Sequence, residues 1–134
     1  MTEEKKNKLY FNLSHSAELL VYAVAFGKKI GVDIEINRPV TRMNELISRF
    51  FSEKEHSHLF SLPKNERNTE SLWHWVAKEA YLKAKGEGIS SIEVLRKRGE
   101  LAICCRKNDS KCKNLQLNDF LPKIGYVGCV AYYE

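Results

Sequence analysis

Three acidic side chains and a lysine carry the first chemical signal in this 134-residue chain. In Gly31-Val32-Asp33-Ile34-Glu35-Ile36 apolar and acidic residues alternate with the period of a strand. Asp33 and Glu35 therefore share one face, and Val32, Ile34 and Ile36 share the other. Such a pair is most often the solvated side of a half-buried strand. In Trp75-Val76-Ala77-Lys78-Glu79-Ala80-Tyr81-Leu82-Lys83, positions 75, 79 and 83 are four apart, which makes Glu79 and Lys83 neighbours on one helix face. Alone, that is an ordinary ion pair worth about 0.2–0.5 kcal/mol, with Lys78 as surface decoration. Together, two carboxylates from a strand and one from a helix form an all-oxygen ligand set that suits a hard cation such as Mg2+. A lysine beside them would add positive charge for a phosphate. Ser14-His15-Ser16, read as a loop between two strands, adds hydroxyls and an imidazole able to donate to phosphate oxygens, although a lone loop histidine is more often not a ligand.

Rigid elements must hold these groups. Leu9 to Leu13, Leu19 to Gly27 and Ile30 to Ile36 are rich in β-branched and aromatic residues and predict three strands. The short Gly27-Lys28-Lys29 break predicts a hairpin that makes the second and third strands antiparallel neighbours. From Thr41, the positions Met43, Leu46, Ile47, Phe50 and Phe51 recur at intervals of three and four, an amphipathic helix ending near Phe51. Ser52-Glu53-Lys54-Glu55 has capping-box spacing and opens a second short helix. A long helix runs from about Thr69 to the Gly86 and Gly88 stop and carries Glu79 and Lys83. Ile92 to Arg98, Glu100 to Lys107, Leu115 to Leu117 and Gly125 to Tyr133 predict later strands, joined by Arg-Gly and Asn-Asp-Ser turns. The fold class is α+β, an antiparallel sheet packed against a long helix. Residues 1–8 form a charged leader and 9–134 a single domain.

Gly and Pro are sparse, at 7 and 3 residues, which argues against collagen-like and low-complexity chains. The longest apolar run, Leu19 to Phe26, is far shorter than the roughly 20 residues that span a bilayer, so no membrane segment is expected. No apolar stretch of signal-peptide type follows the charged N-terminus, so a cytoplasmic location is expected. A net charge of +5 favours an anionic partner: nucleic acid, an acidic protein or a phosphorylated small molecule. The basic residues lack the aromatic interleaving of an RNA-binding sheet, so nucleic acid is the weakest of the three. Cys104, Cys105, Cys112 and Cys129 are expected to be free thiols, because the first three lack a C-x2-C pair and a nearby histidine.

Taken in order, Phe11-Asn12-Leu13-Ser14-His15-Ser16, Gly31-Val32-Asp33-Ile34-Glu35, Phe50-Phe51-Ser52-Glu53-Lys54-Glu55 and Trp75 to Lys83 resemble the 4'-phosphopantetheinyl transferases of Sfp type, in particular their C-terminal half-domain. The resemblance runs from about Tyr10 to the last strand. It implies transfer of the phosphopantetheine arm of coenzyme A to a serine of an acyl or peptidyl carrier protein, as in holo-[acyl-carrier-protein] synthesis for fatty acid, polyketide or nonribosomal peptide pathways. Carried over by position, Asp33, Glu35 and Glu79 match the Mg2+ ligands, and Glu79 also matches a base. Lys83 matches the lysine facing the leaving phosphate. Lys78, Ser14 and His15 match coenzyme A contacts. Sfp-type chains are usually two similar halves with coenzyme A between them, and this chain looks like the second half, with the leader in place of the first. Val76 also departs from the small polar residue often found there. Shorter members of the superfamily trimerise, so a homo-oligomer is expected here. A half-domain that binds coenzyme A or a carrier protein without transfer is the alternative. Arg38, Arg42 and Arg49 suggest where an acidic carrier would dock, if they are not simply solvated charges.

Overall fold

Leu9–Ser16 and Leu19–Phe26 alternate as expected and form β1 and β2, an antiparallel hairpin in which Leu9 opposes Phe26 and Ser16 opposes Leu19. The computed structural model describes residues 3–85, 92–105 and 115–133, and of Glu3, Lys5, Cys104 and Cys105 only the backbone. Ala17 and Glu18 alone make the hairpin turn, with Ala17 at φ +50°. Ser14-His15-Ser16 therefore lies in a strand and not in the expected loop. Polar residue types suggested a loop, but they serve a neighbouring strand. Asn12 Oδ1, Ser14 Oγ and Ser16 Oγ, all on one face of β1, accept from the backbone amides of Val32 (2.9 Å), Ile34 (3.1 Å) and Ile36 (3.0 Å).

Those three amides belong to β3 (Ile30–Ile36), whose other edge pairs with the last strand. The expected hairpin between the second and third strands does not form. Gly27, at φ +73°, donates its N–H to the Lys8 carbonyl, closing β2 onto β1 and leaving β3 to pair elsewhere. Period-two alternation identifies a strand but says nothing of its partner.

Three helices follow: α2 (Met43–Phe50), α3 (Glu53–Ser61) and α4 (Lys64–Lys85), with a single-turn α1 (Glu3–Lys6) inside the charged leader. The capping box at Ser52 and Glu55 forms in both directions, at 3.2 and 3.1 Å. Helix α4 begins five residues before the expected start. The Pro63 carbonyl accepts from the amides of Glu66 and Arg67, and the first turns are too polar to show apolar periodicity. β4 (Ile92–Lys97) pairs with β5 (Glu100–Cys105), and β6 (Leu115–Phe120) pairs with β7 (Tyr126–Tyr133). Among the described residues the antiparallel strands thus fall into three small sheets, β1-β2, β3-β7-β6 and β4-β5. Leu72, Val76, Ala80, Tyr81 and Ala84 of α4 form the spine of the core, against Val127, Cys129 and Ala131 of β7 and Met43, Ile47 and Leu59 of α2 and α3. The helix stop at Gly86 and Gly88, the Asn-Asp-Ser turn and Cys112 lie outside the described residues. Cys129 is a buried free thiol. Among the described residues no helix is long and apolar enough to cross a membrane.

Candidate active site

Strand β3 and helix α4 touch backbone to backbone at Gly31. A Cβ there would collide with the Ala80 carbonyl oxygen and lie 2.6 Å from the Ala84 nitrogen. Only glycine lets the strand come this close, and two residues further on the approach delivers Asp33 to the side chains of α4.

Asp33 is buried, its side chain 11% exposed. One carboxylate oxygen, Oδ1, accepts from Ser14 Oγ at 3.2 Å and from Lys83 Nζ at 3.4 Å. The other, Oδ2, is buried without a partner among the described residues. Lys83 also donates to the Val32 carbonyl (2.9 Å) and the Leu13 carbonyl (3.3 Å), so one ammonium joins β1, β3 and α4. Glu35 accepts from Ser16 Oγ at 3.3 Å. Burial, followed by the charges of Glu35 and Glu79, raises the Asp33 pKa from 3.8 to about 7, with Lys83 opposing. Burial and Glu35 likewise raise Glu79 above its ordinary value against the pull of Lys83. Asp33, Glu35, Glu79 and Lys83 are thus brought into one electrostatic neighbourhood, and Asp33 is not the solvated strand residue that alternation alone suggests.

Carboxylates crowded enough to resist ionisation, one of them with an orphaned buried oxygen, are what a hard divalent cation relieves. By the chemistry of the donor set Asp33, Glu35 and Glu79 could hold Mg2+, each offering the carboxylate oxygens that such a cation takes.

Lys78 is not part of this cluster. Its side chain is fully buried on another face of α4, where Nζ donates to Glu55 Oε1 at 2.7 Å, to the Ile92 carbonyl at 3.0 Å and to the Phe50 carbonyl at 3.4 Å. It is neither surface decoration nor placed to meet a coenzyme A phosphate, because α4 is covered on this side by α3 and β4. Ser14 faces the cluster, but its hydroxyl is committed to Asp33 and to the Ile34 amide. His15 points to the opposite face of β1, exposed and across from Leu20. The expected Ser14–His15 pair is therefore split between the two faces of one strand.

Sequence reasoning missed Gly31, the Asn12-Ser14-Ser16 ladder and the double role of Glu55. The spacing of Asn12, Ser14 and Ser16 was a usable signal, because polar residues at period two opposite Leu9, Phe11 and Leu13 mark a strand face with hydrogen bonds to make.

Residues 29–124 match the profile of the 4'-phosphopantetheinyl transferase superfamily. The chain belongs to this superfamily. It is 44% identical over 85 residues to the 4'-phosphopantetheinyl transferase HetI of Nostoc sp., covering 63% of this chain and 36% of that one. To the 4'-phosphopantetheinyl transferase Sfp of Bacillus subtilis it is 35% identical over 109 residues, covering 77% of this chain and 47% of that one. The chain spans less than half the length of these curated relatives. Among solved structures it resembles the holo-[acyl-carrier-protein] synthase of Thermotoga maritima, with TM-score 0.62 and 16% identity, covering 79% of this chain and 62% of that one. It also resembles the Chronobacterium ammoniagenes ACPS-CoA complex, with TM-score 0.56 and 21% identity, covering 80% of this chain and 98% of that one. At those identities the likeness establishes the fold, and the expected α+β class with antiparallel strands and a long helix holds.

Proposed function

We propose that this transferase-superfamily chain moves the 4'-phosphopantetheine arm of coenzyme A to a serine of an acyl or peptidyl carrier protein in a Mg2+-dependent reaction. The observation that carries the reading is the Asp33 carboxylate, buried with one oxygen orphaned, beside Glu35 and Glu79 and facing Lys83. In this reaction the carrier serine Oγ attacks the β-phosphorus of coenzyme A, and the bond to the adenosine 3',5'-bisphosphate oxygen breaks. Mg2+ held by Asp33, Glu35 and Glu79 would neutralise the pyrophosphate oxygens. Glu79, half-buried with a raised pKa, is suited to take the serine proton, a contribution of about 10²–10⁴-fold. Lys83 offers its charge to the leaving phosphate from a position fixed by two carbonyl oxygens. Ser14 acts by holding Asp33, and Lys78 by holding the helices together.

The reading includes a second copy of the chain. Leu9, Phe11 and Leu13 of β1 stand beside Tyr22, Val24 and Phe26 of β2 on one sheet face, all exposed. Monomers seldom leave so continuous an apolar face in water. The net charge of +5, with Arg38 and Arg42 preceding α2 and Arg49 in its last turn, supports docking of an acidic carrier protein on that side. The reaction belongs in the cytoplasm, with its coenzyme A substrate, and needs neither nucleic acid nor membrane. The same bare face, on a chain less than half the length of its relatives, favours one second reading: a half-domain that binds coenzyme A or a carrier but transfers nothing until another chain covers it.

The test is intact-mass analysis of apo carrier proteins incubated with this chain, coenzyme A and Mg2+. The phosphopantetheine mass increment is expected, abolished by EDTA and by Asp33→Ala in protein that remains folded. No increment from folded chain on several carriers at saturating Mg2+ would overturn the proposal in favour of the second reading.

A further inference from the structure

Where α3 meets α4, away from the carboxylate cluster, His74 is completely buried. Its Nδ1 lies 2.8 Å from Glu55 Oε2. Although burial opposes it, hydrogen bonds from His74 and Lys78 hold the Glu55 carboxylate below its ordinary pKa, so Glu55 is an acceptor and Nδ1 carries the hydrogen. The other ring nitrogen, Nε2, is also buried and has no hydrogen-bond partner among the described residues. It points toward Glu70 Oε1, 3.4 Å away and one turn back along α4. In a neutral imidazole that nitrogen is a lone pair, so two acceptors face each other across a gap that requires something positive.

The third wall of the gap is His58, on α3. Its ring stacks on that of His74 with centroids 6.0 Å apart and 26° between planes. One donor atom each from His58, Glu70 and His74 lie within 4.8 Å of one another. A cavity of about 400 Å³, bordered by His58, Leu62, Glu66, Glu70 and Arg96, opens beside them and admits solvent. Two imidazoles and one carboxylate with an open side are a donor set for a borderline transition metal, unlike the all-oxygen set at Asp33. The Glu55 carboxylate behind His74 is the outer partner that fixes the tautomer and aims Nε2 inward. Arg96 holds both oxygens of Glu70, at 2.6 and 3.2 Å, which fixes that carboxylate in place but weakens it as a donor.

We infer that His58, Glu70 and His74 form a second cation site, selective for Zn2+ or a similar transition metal, that clamps α3 to α4. The site is independent of the transfer reaction. The rival occupant of the gap is a proton on Nε2, since Glu55 and Glu70 raise the imidazole pKa against the effect of burial.

The experiment records imidazole nitrogens in long-range 1H–15N spectra of the full chain, with Mg2+ saturating and Zn2+ added to one equivalent. The chain has four histidines, and His56 is already engaged by the Ile47 carbonyl at 2.7 Å. The resonances of His58 and His74 are expected to move while those of His15 and His56 stay. His58→Ala removes an exposed side chain and leaves the fold intact by circular dichroism. It should weaken Zn2+ binding about tenfold or more, at least the cost of losing an outer-sphere partner. Two outcomes overturn the proposal. Unmoved His58 and His74 resonances, with His74 protonated on both nitrogens, would give the gap to a proton. Undiminished Zn2+ affinity in His58→Ala would give the metal to the cysteines.

Discussion

At the scale of the single residue, Asp33 sets the pH dependence expected of the candidate site. Its pKa is about 7 in the folded chain against 3.8 for the free side chain. Below pH 3.8 the group is protonated in both states and costs nothing. Between about pH 4 and 7 the unfolded chain ionises while the folded chain does not, so stability falls as pH rises and levels off above 7. The loss is of the order of 4 kcal/mol at most, at about 1.36 kcal/mol per pKa unit. Glu79 acts in the same direction. A cation that binds ionised carboxylates reverses this. In EDTA the melting temperature should fall between pH 4.5 and 7.5, and Asp33→Asn should flatten the fall. Mg2+ should raise the melting temperature more at pH 8 than at pH 5.5. An equal Mg2+ response at both pH values would show that these carboxylates do not bind it.

At the scale of the element, the joint between β3 and α4 and the joint between α3 and α4 do different work. Gly31→Ala places a methyl group against the Ala80 carbonyl, which is backbone and cannot move aside cheaply. Overpacking of this kind costs about 1–3 kcal/mol. We expect a lower urea midpoint together with a weakened Mg2+ response, because Asp33 moves with its strand. Lys78→Met leaves Glu55 buried beside His74 without its ammonium, a change that costs about 3–5 kcal/mol. If the proposed transfer holds, the residual folded chain should keep its KM for coenzyme A. A raised KM with unchanged stability would return Lys78 to the phosphate. Strands and helices were legible because apolar periodicity is a local signal: β1 to β3, the capping box and the body of α4 all stand close to where their residues predict. Pairing was not legible. Whether β3 joins β2 or β7 depends on contacts a hundred residues apart in sequence, and nothing in a strand's own alternation encodes them. Helical spacing set Lys83 beside Glu79, but it could not show that Lys78 is buried, since α4 buries side chains on more than one face and a single helical period does not reveal the second.

At the scale of the whole molecule, the hairpin β1-β2 is where association with a second copy is expected. One of its faces is spent on the β3 edge, where Asn12, Ser14 and Ser16 meet three amides. The opposite face is apolar from Leu9 to Leu13, with Phe11 directly across from Val24 and Leu13 across from Tyr22, and turns polar at His15 near the hairpin turn. Because the two faces alternate along the same strands, any partner that covers the apolar face lies one strand's thickness from Ser14 and hence from Asp33. Association and site geometry should therefore be coupled. Sedimentation equilibrium is expected to give a mass that is a multiple of 15.5 kDa and that dissociates on dilution. A paired substitution at the centre of the face, Phe11→Ser with Val24→Ser, should return a single-copy mass with unchanged far-ultraviolet circular dichroism. If a second copy completes the site, transfer per chain should fall with dilution in the parent and be low at every concentration in the double variant. A parent chain of single-copy mass that transfers phosphopantetheine at a rate independent of concentration would show that the bare face has no part in the reaction.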